Sequence, residues 1–158
     1  MKSKVLIICV AIIIAIVSVS CLSEKKGDYL PPIKVEIPEA LQSNTDAVTF
    51  INQSSEVLNQ WSVTFEDLVV ECEPFVGKEE SELSTMDKLK LGKIMMEFMA
   101  NMGQFAVKVA EMEQTASMIE DGLNEQEIEA MEVVMDSFDA RIEELNDKYQ
   151  DFGKEEEE

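Results

Sequence analysis

Four thioethers within eight residues, Met95, Met96, Met99 and Met102, are the side chains whose type and spacing come nearest to a chemical site. Thioethers are soft ligands suited to Cu(I), and Met95, Met99 and Met102 recur at four and three, one face of a helix. Methionine is also ordinary core filler, and Met95, Met102, Met131 and Met135 fall at seam positions of their helices, with Met112 farther along as well. No resident metal or cofactor is therefore expected, and copper binding stands as the alternative.

Other chemistry is mostly excluded. The 158 residues contain no histidine, which removes Ser-His and Cys-His nucleophiles, imidazole zinc sites and the Glu-x-x-His pairs of di-iron bundles. Cys72 falls on an apolar stripe without a base, so a buried structural thiol is expected. Asp121-Gly122-Leu123-Asn124 looks like a fragment of a calcium loop, but Ser117 and Ile119 occupy positions where oxygen ligands are required. There is no glycine-rich phosphate loop. With 33 acidic residues, carboxylate pairs are unavoidable and uninformative, and a narrow helical body offers them no cleft. An enzyme is not expected.

Three helical patterns must position whatever remains. The first covers about 39–73, with Pro38 at its start and the stripe Val48, Ile51, Leu58, Trp61, Phe65, Leu68, Val69 and Cys72, interrupted by Ser54, Ser55 and Ser62. The second, about 85–120, repeats Leu91, Met95, Phe98, Met102, Phe105, Val109, Met112, Ala116 and Ile119 at alternating fours and threes. Sustained over four heptads, that spacing predicts a coiled-coil-like seam. The third, about 125–151, opens with a capping box, Asn124 with Glu127, and a staple of Leu123 with Ile128. The expectation is an all-α, elongated, antiparallel three-helix bundle over 38–153.

The second helix is apolar on more than its seam. At about 100° per residue, Leu89, Met96, Met99 and Val107 share a second flank with Gly92, Gly103, Ala106 and Ala110. A helix with two apolar flanks touches two neighbours, so the first helix is expected to cover this one. Where it does not, Leu89, Met96, Met99 and Val107 form an interaction flank for a second copy or another protein.

Ahead of the helices stands a leader: Lys2 and Lys4, an apolar run from Val5 to Val19, then Ser20 and Cys21. Ser18-Val19-Ser20-Cys21 resembles the lipobox of prokaryotic membrane lipoproteins, although Ser18 stands where that family usually has Leu. The resemblance covers residues 1–21 only. It implies a signal peptide over 1–20, cleavage, and a diacylglycerol on Cys21 as the new N-terminus, an anchor of two chains that holds stably. The alternative is an uncleaved single-span anchor, since the run approaches the length a spanning helix needs. Either places the body on the extracytoplasmic face of a membrane. Residues 21–37 read as an extended tether, with Pro31-Pro32 and the alternating Ile33, Val35 and Ile37 lying on the helices. Residues 154–158 read as a disordered acidic tail.

Removing Lys2 and Lys4 with the leader takes the formal charge from −20 to −22. Such an excess repels nucleic acid and anionic headgroups, so neither is expected as a partner. The expected partners are the membrane, through the anchor, and a protein of unknown kind or a second copy.

Overall fold

The structure, a computed structural model, describes residues 29–150. The leader, Cys21, the first part of the tether and the acidic tail lie outside the described residues. Three helices pack against one another: α1 (Thr45–Cys72), α2 (Thr85–Glu120) and α3 (Glu125–Tyr149). Single 3₁₀ turns stand at Glu39–Leu41 and Glu73–Phe75.

Each helix begins where a side chain can satisfy its orphan backbone donors. Ser84 and Asp87 form a reciprocal box at the start of α2, and Asn124 and Glu127 do so at α3. At α1, Asn44 accepts from the Ala47 amide at 3.1 Å. The sequence placed this start at 39, six residues early, because Pro38 suits a first-turn position. The chain instead makes a 3₁₀ turn there, buries Leu41 completely, and restarts at the Asn44 cap. After Pro74 the chain reverses through Gly77, whose φ of 69° is the left-handed conformation that favours glycine.

Long-range hydrogen bonds fix the directions of the helices. Asn44 Nδ2 donates to Glu127 Oε1 at 3.3 Å, and Lys148 Nζ reaches Glu66 Oε1 at 2.7 Å. Both pairs carry nearly the same offset in sequence, so α1 and α3 run parallel and in step. Helix α2 runs the other way along α1, with Trp61 against Phe105 at 6.4 Å between ring centroids. A chain of rings crosses all three helices: Phe105 meets Trp61, Trp61 stacks on Phe65 at 5.5 Å, and Phe65 meets the edge of Tyr149 at 5.5 Å.

Residues 29–37 are extended and lie along the helices, with Leu30, Ile33, Val35 and Ile37 packed on the core. The Ile33 amide donates to Asn59 Oδ1 at 2.7 Å and its carbonyl accepts from Asn59 Nδ2 at 3.2 Å, as a neighbouring strand would pair. Leu30 meets Glu66 and Ile33 meets Asn59, so three extended residues span the same length, about 10 Å, as seven helical ones. This strap runs antiparallel to α1.

The two buried charges among the described residues both serve the strap. Glu66, 0% exposed, accepts from the Leu30 amide through both oxygens at 3.1 Å, and its Oε1 also accepts from Lys148 Nζ and from the Tyr149 hydroxyl at 2.8 Å. Arg141, 5% exposed, donates to the Pro31 carbonyl and sits 3.1 Å from Glu144. The strap is therefore clamped by a carboxylate from α1 and a guanidinium from α3.

The second flank of α2 is not covered by α1, because α1 packs on the seam through Trp61 and leaves Leu89, Met96, Met99 and Val107 open. The seam itself is buried only over the second half of α2: Phe105, Val109 and Ile119 are buried, whereas nothing from Thr85 to Gln104 is. There α3 has already ended at Tyr149 and α1 runs on alone to Cys72, so Leu91 and Phe98 are half-buried and Met95 is exposed.

Replacing Glu66 with Ala removes the acceptor shared by the Leu30 amide, Lys148 and Tyr149 and should cost about 3–5 kcal/mol in urea unfolding; a loss below about 1 kcal/mol would show that the clamp is incidental. Burial, with Asp136 and Glu143 nearby, holds the Asp139 carboxyl above its usual range. Its contribution to stability is therefore present at low pH and disappears as pH rises through its folded value. Acidification toward pH ~4.5 should raise Tm, and Asp139→Asn should reduce that gain. The Asp87 carboxylate, held low by its hydrogen bonds from Ser84, works in the opposite direction and is lost only in stronger acid.

Candidate functional site

The outer face of α2 is the part of the molecule whose composition its own fold does not use. Leu89, Gly92, Met96, Met99, Gly103, Ala106 and Ala110 recur at alternating threes and fours, a second stripe turned away from the first. Its large members are open: Leu89 is 65% exposed, Met96 73%, Met99 68% and the adjacent Val107 60%. From Leu89 to Ala110 this stripe carries no charged side chain; Lys90, Glu97 and Lys108 lie on a ridge turned away from it, and Lys93 stands at its edge. One of them, Lys108, donates to Gln60 Oε1 at 2.6 Å and so faces α1.

The stripe is open in a second sense. A Cβ built on Gly92 or on Gly103 would meet nothing within 4 Å. A glycine inside a helix costs about 1 kcal/mol relative to alanine, and no neighbour within this fold requires either one.

Charge is distributed unevenly around this face. Helix α1 carries five acids and no base, and α3 carries nine acids against Arg141 and Lys148. Helix α2, with five acids and four lysines, is nearly neutral. The least repulsive surface of the molecule is thus also its most apolar one.

The methionines named from sequence as soft-metal ligands fall along the border between stripe and core. Met95 is 44% exposed, Met99 belongs to the open stripe, and Met102 is half-buried against the core. Cys72 is half-buried, and Cys21 lies outside the described residues. A shallow groove of about 360 Å³ between the turn at Glu73–Phe75 and the first turns of α2 is lined by Glu71, Phe75, Lys78, Lys90, Lys93 and Ile94. Its mixed charge and open mouth match no single ligand class.

Sequence reading did not find Glu66, Arg141 and Lys148. The one available signal was Arg141, the only arginine in the chain. No protein-family model, curated protein or solved structure matches this chain.

Because both glycines face open space, Gly92→Ala and Gly103→Ala should each raise the stability of the dilute protein by about 0.5–1 kcal/mol. Thermal melts at micromolar concentration would read this directly, and a lowered Tm would mean that a hidden contact occupies the face.

Proposed function

We propose that this chain is a membrane-tethered lipoprotein whose helical body works by contact and not by catalysis. The observation that carries the reading is the uncharged stripe of α2, standing open on a chain of net charge −20. An exposed, continuous apolar surface on so acidic a body is characteristic of a binding face. The leader supplies the location: Lys2, Lys4, the apolar run and Cys21 fit lipid attachment on the extracytoplasmic side. The strap supports the same reading, since a chain clamped at Leu30 and Pro31 leaves the body at a defined point next to α1. The body then acts as an antiparallel, coiled-coil-like module, held near the bilayer by residues 21–28 and presenting α2 to a partner.

Mass spectrometry of the N-terminus of the natural protein tests the location. Loss of residues 1–20 with a diacylglyceryl mass on Cys21 is the expected result. An intact Met1 in the membrane fraction replaces the lipid with a single-span anchor, and an unlipidated full-length chain in the cytosol overturns both.

A further inference from the structure

We propose that the outer stripe of α2 is a self-complementary dimer seam, on which α2 of a second copy lies antiparallel about a two-fold axis close to Asn101. This deepens the contact reading above and rests on it only for the face involved.

The first support is steric. Gly92 and Gly103 have open space where a side chain would stand, and what a missing Cβ permits is close approach by another backbone. In an antiparallel pairing of this heptad stripe, Met96 faces Ala106 of the second copy and Met99 faces Gly103. Each long, adaptable thioether enters the gap left by a small residue.

Charge gives the direction. Lys88 and Lys93 flank the N-terminal end of the stripe, and Glu111 and Glu113 flank the other. Antiparallel pairing brings each copy's basic end to the other's acidic end, whereas parallel pairing sets like against like. The strongly acidic α1 and α3 stay on the outside, away from each other.

The tether is compatible with this arrangement. Tyr29 is held beside Asp67 by a hydrogen bond of 2.7 Å. Since Trp61 lies against Phe105, Asp67 is level with Met99 and Ala100, within a turn of the axis. Both chains thus leave the dimer near its middle. The eight residues from Cys21 to Tyr29 can reach about 26–29 Å, so two lipids can enter one bilayer. A lipid surface is the weaker occupant, because Glu79, Glu80 and Glu82 stand next to the start of α2 and repel anionic headgroups.

The seam is one helix wide and about 33 Å long, at the small end of specific interfaces, so the dimer should be a concentration-dependent equilibrium. Sedimentation equilibrium of the full chain in density-matched non-ionic detergent should show its mass rising from one chain toward two up to about 100 µM. Gly103→Glu and Met96→Glu should each weaken this by about tenfold or more at unchanged helix content by circular dichroism. Reversing Lys88 and Lys93 to Glu should also weaken it, and adding Glu111→Lys with Glu113→Lys should restore it. A wild type that stays monomeric, or variants that dimerise like the wild type, overturns the proposal. So does a monomer that floats with anionic vesicles through the same residues, which would assign the stripe to lipid. The N-terminal mass is read separately, so the anchor and the seam can fail independently.

Discussion

A carboxylate with no exposure to water must be satisfied by protein, and Glu66 organises much of this fold by that requirement. Its oxygens accept from a strap amide, a lysine and a phenol, donors drawn from two segments remote from it in sequence. Had the strap not docked, the charge would be left short of a partner in a low-dielectric setting. Had α3 slipped by a turn, Lys148 and Tyr149 would both miss it. Strap docking and the register between α1 and α3 are therefore one event.

That register determines what α2 can do. With α1 and α3 running in step and α3 ending short of α1, the second half of α2 joins their shared core and its first turns extend past both. The ring chain from Phe105 to Tyr149 fastens the shared part. Beyond it, Leu91, Met95 and Phe98 keep their seam spacing with little to pack against among the described residues. The outer stripe is a separate matter, open even where α2 is well supported, since its direction relative to the core follows from helical geometry alone.

What the sequence made legible was local or periodic. The bounds of α2 and the start of α3 agree with the structure because capping boxes act within four residues and heptad spacing repeats over many. The outer flank of α2 was visible for the same reason. The identity of its neighbour was not, because α1 offers a stripe that fits either side of α2 and only the Trp61–Phe105 contact decides between them. The break before Asn44 was hidden because Pro38, read as the first turn of the helix, instead opens a 3₁₀ turn that buries Leu41. Glu66 could not be singled out among 33 acids. Its partners lie 36, 82 and 83 residues away, beyond any local rule.

The direction of the strap has a mechanical consequence. Because it runs back along α1 from Tyr29, any pull on the chain before Tyr29 arrives first at the Tyr29–Asp67 bond and then at the Leu30–Glu66 and Pro31–Arg141 bonds. Through Lys148 and Arg141 that load passes into α3 as well as α1, while α2 lies outside the loaded path. Tension would then peel the strap from its end without disturbing the face that α2 presents.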